Sequence, residues 1–211
     1  MSTKTSVAIL YGGKSVEHNI SVNSARNVYE FLDKEKYSPI IIGISPKGVW
    51  MHKNNIDDNF EEGEELHLIL NSYRKGFAYK SSNKTFNPDI VFPVLHGTDG
   101  EDGSIQGLLT SMEIPFVGTG VLGSALSMDK LYSKRTLASA GLPVSAYLTY
   151  DFNEKDNIAF DTCSAELGVP FMVKAANLGS SVGVYKVSSE HYFEEVLDKV
   201  LKAILSFSLK S

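Results

Sequence analysis

The chain has 211 residues, 43% of them hydrophobic and 21% charged, with a formal net charge of −5 at pH 7. That length suits one large domain or two small ones, and the composition is that of a soluble globular protein with a real core. Interspersed signs and a negative balance argue against a nucleic-acid surface, which needs clustered Lys and Arg to displace counterions. No apolar run approaches membrane-spanning length. The stretch Met1–Leu10 is too short and too soon polar for a signal peptide, so a cytoplasmic protein is expected. The single cysteine, Cys163, allows no disulfide within the chain and reads as a small residue packed on a helix.

Ser6–Leu10 is a short apolar run ending at a glycine pair, as a buried parallel strand should. Val22, Ala25, Val28, Tyr29 and Leu32 then recur at helical spacing, with Ser21 as the expected N-cap. Residues 38–44 form a second strand, with Pro39 near its start. Residues 53–85 are polar and poorly periodic, and read as an excursion with one short strand at 66–70. Its acidic run, 57–65, is expected to be a solvated loop. A third strand follows at 89–95, a helix at 104–112 and a fourth strand at 114–117. Strand–helix alternation implies a parallel sheet with helices on its faces. Thereafter the pattern changes. Residues 129–140 are helical and closed by Gly141 and Pro143. Strands at 146–150, 170–173 and 182–187, with helices at 161–167 and from Ser189, make a separate α+β unit. The expected division is an α/β domain over residues 1–125 and a second unit over 126–211.

Four segments carry chemistry. Gly12-Gly-Lys-Ser15 resembles the end of a phosphate-binding Walker loop, but the earlier glycine that loop requires falls at Ala8. What survives is a strand ending in two glycines, whose backbone N–H groups would suit an anion. Glu17 beside it then faces a cation, an ammonium or a hydroxyl, or else is an exposed loop residue. His96-Gly-Thr-Asp-Gly-Glu-Asp-Gly103 ends the third strand, where open α/β sheets place their ligands. His96 there can bind a carboxylate or hold the loop, while Glu101, Asp102 and Ser104 suit the positive end of the following helix. A metal set of His96, Asp99, Glu101 and Asp102 is the weaker alternative. Gly118-Thr-Gly-Val-Leu-Gly123 matches a dinucleotide fingerprint in letters only, since no acidic residue lies near twenty positions on. Finally, Lys174 ends an apolar strand and leads into Ala-Ala-Asn-Leu-Gly-Ser-Ser-Val-Gly183, a loop of small residues that can close over a triphosphate. A lysine among Phe171, Met172 and Val173 is expected to be buried, which is costly unless an anion pairs with it.

Together, Glu17-His-Asn-Ile-Ser21, Leu95-His-Gly-Thr-Asp-Gly-Glu-Asp-Gly103, Met128-Asp-Lys-Leu-Tyr-Ser-Lys134 and Gly179-Ser-Ser-Val-Gly183 closely resemble the D-alanine–D-alanine ligase family of the ATP-grasp superfamily. The likeness covers residues 6 to about 204, four independent motifs in order. It implies a Rossmann-like pre-ATP-grasp domain followed by the first, α+β part of an ATP-grasp domain. It implies ATP-dependent joining of two D-alanines for peptidoglycan, through an acylphosphate of the first. By that resemblance Glu17 would bind the first D-alanine's ammonium and help orient Ser180, with Glu17 and Ser180 as the catalytic pair. His96 would sit near the same substrate. Lys130 and Lys174 would bind ATP phosphates under a cover formed by Gly179, Ser180 and Ser181. Homodimerisation through the first domain is also implied, with neither nucleic acid nor membrane as a partner. Relatives that use lactate or serine as acceptor remain an alternative, as does a non-catalytic remnant that binds nucleotide or pairs with an intact ligase.

Two departures stand out. Ala175 occupies a position where the family commonly has proline. The family's magnesium ligands, adenine hinge and acceptor loop would lie beyond Ser211, so no metal ligand is assigned here although the family is expected to use magnesium. Because the helical pattern fades over 201–211, the expectation is a C-terminally truncated chain, through a frameshift or early stop near residue 205, with little or no turnover.

Overall fold

The structure, a computed structural model, describes residues 4–70, 75–177 and 183–208. The chain divides into two compact units, Met1–Ala125 and Leu126–Ser211.

The first unit is built on a seven-stranded sheet. Its centre is β1 (Thr5–Gly12), parallel to β2 (Tyr37–Ile44) on one side and to β7 (Ile90–Pro93) on the other. Side chains alternate across a strand, and both faces of β1 are buried. Ile9 and Tyr11 meet Val22 and Ala25 of α1 (His18–Phe31), whereas Ala8 and Leu10 meet Ile105 and Leu109 of α2 (Ser104–Ser111). Covering on both sides is why β1 reads as continuous hydrophobics. Because α1 and α2 lie on opposite faces, the carboxyl ends of β1 and β7 form a switch point, where such sheets open a crevice.

Beyond β2 the sheet turns antiparallel through β3 (Trp50–Lys53), β4 (Glu64–Ile69), β5 (Gly76–Tyr79) and β6 (Thr85–Phe86). Sequence reading anticipated only β4 here. These strands are short and half-buried, and Phe86 stacks on Phe77 while lying tilted against Tyr79. The acidic stretch 57–65 is only partly the solvated loop expected: Asp58, Asn59 and residues 61–63 are exposed, but Asp57 and Phe60 are half-buried and Glu64 and Glu65 open β4, because the stretch is anchored. Phe60 packs on Tyr11 and His18, and buried Lys53 pairs with Asp57 at 3.0 Å. The expected strand at 114–117 is only a single parallel bridge, Val91 to Phe116. Pro115 contributes its carbonyl to Val91 N–H but has no N–H with which to extend a ladder.

Helix α3 (Val121–Met128), unforeseen from the sequence, spans the residue at which the units divide. In the second unit α4 (Lys130–Ser139) is N-capped by Asp129, whose carboxylate accepts the N–H groups of Leu131 and Tyr132. Gly141 closes it at φ +75°. Then come α5 (Phe160–Leu167), the antiparallel pair β8 (Phe171–Lys174) and β9 (Val184–Val187), and α6 (Phe193–Ser208). Their core is Cys163, Phe171, Val187, Phe193 and Val196, with Phe160 and Phe171 edge-on to Phe193. Burial and the Tyr150 hydroxyl surround the Cys163 thiol; burial dominates and pushes its pKa up, as suits a packed residue. The expected strand at 146–150 has no regular structure, since only β8 and β9 form a ladder among the described residues of this unit. No described helix is long and apolar enough to cross a membrane.

Candidate functional site

The carboxyl ends of β1 and β7 bring Glu17 and the 96–103 loop together. Gly12 and Gly13 take φ of +92° and +95°, a turn that other residues would strain. A side chain at Gly12 would also collide with the Ile44 carbonyl. The turn does not aim its first N–H groups at a ligand, contrary to the sequence expectation. Gly12 N–H donates to Ser21 Oγ at 2.8 Å and Gly13 N–H to Ile44 O at 2.8 Å, because the turn stays joined to β2 and α1. His18 Nδ1 lies 2.7 Å from the Gly13 carbonyl, which requires the N–H on Nδ1, and His18 Nε2 is buried without a partner.

Ser21 is likewise not the N-cap. The helix begins at His18 with Glu17 in the cap position, and Ser21 lies one turn inside. There its buried hydroxyl accepts from Gly12 and donates to Val94 O at 2.5 Å, tying together α1 and the ends of β1 and β7. Three residues on, the Ser24 hydroxyl meets His96 Nε2 at 3.1 Å. Sequence reading missed Ser24 and misread Ser21. The available signal was two serines at helical i, i+3 spacing beside the buried Val22 and Ala25.

Glu17 is 8% exposed, with its N–H bonded to Ser15 Oγ. Its carboxylate lies against Gly97, where an added methyl would overlap Glu17 Oε2 and Ser15 Oγ. Gly97 is left-handed at φ +73° and donates to Glu101 Oε2 at 2.7 Å. Asp102 accepts from Asp99 N and Ser104 N. Burial pushes the Asp102 carboxyl up, but these hydrogen bonds outweigh it and hold the group below its usual range. Glu101 and Asp102 therefore shape the loop, and Asp99 pairs with Lys14 at 3.1 Å. Among the described residues no group of three or more His, Cys, Asp or Glu side chains could hold a metal ion, the set His96, Asp99, Glu101 and Asp102 included.

In the second unit Lys130 and Lys174 come together. Lys130 N–H and its ammonium both donate to Ala176 O, at 3.1 and 3.3 Å, which brings the start of α4 beside the end of β8. Burial lowers the Lys130 pKa, and the Lys174 charge lowers it further against the pull of Asp129. Lys174 itself is exposed, not buried as expected. Only one face of the β8–β9 pair meets the core, so Phe171 points inward while Met172 and Lys174 are exposed. The base of the following loop is pinned by Ala175 N–H to Gly183 O at 2.9 Å. Gly179, Ser180 and Ser181 lie outside the described residues. Two cations held close, one of them partly desolvated, suit a phosphate chain, which would relieve both costs.

The family model described as D-ala D-ala ligase N-terminus matches residues 6–119, and that described as D-ala D-ala ligase C-terminus matches residues 136–205. The chain is 43% identical over 203 residues to a D-alanine–D-alanine ligase of Oceanobacillus iheyensis, covering 90% of this chain and 55% of that protein. It is 37% identical over 207 residues to D-alanine–D-alanine ligase A of Escherichia coli, covering 92% and 57%. Among solved structures, the D-alanine–D-alanine ligase of Coxiella burnetii superposes with a TM-score of 0.85 at 30% identity, over 94% of this chain and 61% of that one. The VanG D-Ala:D-Ser ligase of Enterococcus faecalis gives 0.82 at 30% identity, over 95% and 60%. The chain thus spans somewhat over half the length of these relatives. With both family models matched, over residues 6–119 and 136–205, the chain belongs to the D-alanine–D-alanine ligase family.

Proposed function

We propose that this chain binds the first D-alanine and the phosphates of ATP for ATP-dependent D-alanyl-D-alanine synthesis, the peptidoglycan-building reaction of its family. The observation that carries this reading is the placement of buried Glu17 against Gly97, one residue from His96, at the switch point of the sheet. A buried carboxylate attracts the substrate ammonium strongly in a site of low dielectric. His96, steadied by Ser24, is suited to the substrate carboxylate. In the second unit Lys130 and Lys174 are suited to the phosphates, where positive charge helps most as the phosphoryl group transfers. ATP supplies the phosphoryl group that activates the carboxylate. Ser180, with Gly179 and Ser181, keeps the catalytic and covering role that the family resemblance assigns. Magnesium belongs to the proposed reaction, but the described residues supply no cluster for it. Residues 1–125 act as the substrate domain and 126–211 as the nucleotide-binding part. Homodimerisation through the first domain and a cytoplasmic location complete the proposal.

The relative from Enterococcus faecalis is a D-Ala:D-Ser ligase, so a different acceptor is the second reading; it alters neither the Glu17 site nor the two lysines. The test is thermal unfolding of the 211-residue protein with each ligand, since a ligand raises stability only by binding the folded state. D-alanine and ATP should each raise the melting temperature. Glu17→Gln should cancel only the first effect and Lys174→Met only the second. A folded protein that responds to neither ligand would overturn the proposal.

A further inference from the structure

A cleft of about 390 Å³ opens at the carboxyl ends of β1, β2 and β7 on the α2 side, and of the four residues proposed to hold D-alanine and ATP phosphates only His96 reaches its wall. His96 and Ser15 line it, whereas Glu17 and Ser24 do not. Its lining includes the apolar side chains of Ile44, Leu95, Ile105 and Leu108 with the half-exposed ring of Trp50. Lys14, Lys47 and Asp99 supply its charged groups. The Lys14 stem packs on Gly48, and its ammonium pairs with Asp99 at 3.1 Å. Two lysines against one aspartate leave one surplus positive charge, which belongs to Lys47. Small-molecule sites are commonly concave, mostly apolar and fitted with a few polar groups, at volumes of about 300–1,000 Å³.

We propose that this cleft binds a small hydrophobic carboxylate, its apolar body on Trp50, Ile44 and Leu108 and its carboxylate on Lys47. Charge complementarity at Lys47 and the apolar lining together select such an occupant. D-alanine is a poor occupant, because it carries an ammonium and only a methyl group for apolar contact. A nucleotide is equally poor, because a triphosphate brings several negative charges to a surplus of one.

Trp50 is the only tryptophan in the chain, so its fluorescence reports on this cleft directly. The probes are phenylacetate, acetate as the anion alone, and phenylacetamide as the neutral isostere. Phenylacetate should change the emission saturably, with both other probes binding about fivefold more weakly or less well still. Lys47→Met, at an exposed position, should weaken phenylacetate by a similar factor and leave phenylacetamide unchanged. Saturating D-alanine should not displace the probe. An absent or unsaturable response, displacement by D-alanine, or full phenylacetate binding by Lys47→Met would each overturn the assignment.

Discussion

Glu17 and Gly97 meet so closely that Gly97 has no room for a side chain: a methyl there would overlap Glu17 Oε2 and would stand 2.6 Å from Ser15 Oγ. The same residue holds φ at +73°, a conformation that costs other residues about 1 kcal/mol or more. Gly97→Ala should therefore push the Glu17 carboxylate out of place as well as strain the loop. The expected result is D-alanine binding weaker by about tenfold or more, since small misplacements of a positioning group are expensive. ATP binding should be unchanged. Calorimetric titration with each ligand checks both halves, and unaltered D-alanine binding would remove Gly97 as the wall of the site.

Ser21 joins three elements through one hydroxyl. Ser21→Ala leaves Gly12 N–H and Val94 O without their partner in a buried setting. Each unsatisfied buried group costs about 1–3 kcal/mol, so a loss of at least about 2 kcal/mol is expected. Urea denaturation should show the lower midpoint with an unchanged slope. Ser21→Thr keeps the hydroxyl and should recover part of that loss; a midpoint in Ser21→Ala equal to that of the parent would mean the hydroxyl does not bridge the strands.

These two residues also mark what could be read from sequence. Glu17 and His96 were legible because a strand ending in glycines and a strand ending in His-Gly announce the carboxyl edge of a sheet, whichever residues surround them. Ser21 was misread because serine favours helix starts, and nothing local reveals that α1 begins at His18, one turn earlier. Ser24 was invisible for a different reason. Its role depends on His96, 72 residues away, and no periodicity encodes that contact. The antiparallel strands β3, β5 and β6 escaped because they are only four, four and two residues long, too short for an alternating pattern to show. Lys174 was placed in the core because its neighbours are apolar, yet a two-stranded sheet with one covered face sends alternate residues outward.

Lys53 is a charge in the interior that organises an acidic loop. Its side chain is 2% exposed; it donates to Asn59 O and to Glu62 O, the latter at 2.6 Å, and pairs with Asp57. Removing one partner of a buried ion pair strands the others, so Lys53→Met should destabilise the protein by about 3 kcal/mol. Asp57 is 34% exposed, and Asp57→Asn should cost about 1 kcal/mol or less because water screens that end of the pair. Equilibrium unfolding of both variants checks the ranking. If Asp57→Asn proved the more damaging, the ion pair rather than the carbonyl bonds would be what holds the loop.

Lys130 should carry a pH signature of the proposed phosphate site. Burial first, and the Lys174 charge second, hold its pKa below the usual 10.5. Over the interval between the lowered value and 10.5 the unfolded chain binds more protons at this position than the folded one. Stability therefore rises with pH through that interval, and the penalty is fully present below it. Carbon-13 labelled lysine observed by NMR should show Lys130 titrating ahead of the exposed lysines. Lys174→Met should move the Lys130 midpoint upward, because it removes a like charge, without restoring it fully, because burial remains. ATP should also move it upward by bringing negative charge beside both ammonium groups. A Lys130 titration unmoved by either change would mean the two lysines do not share a phosphate, and the ATP assignment of the second unit would fall with it.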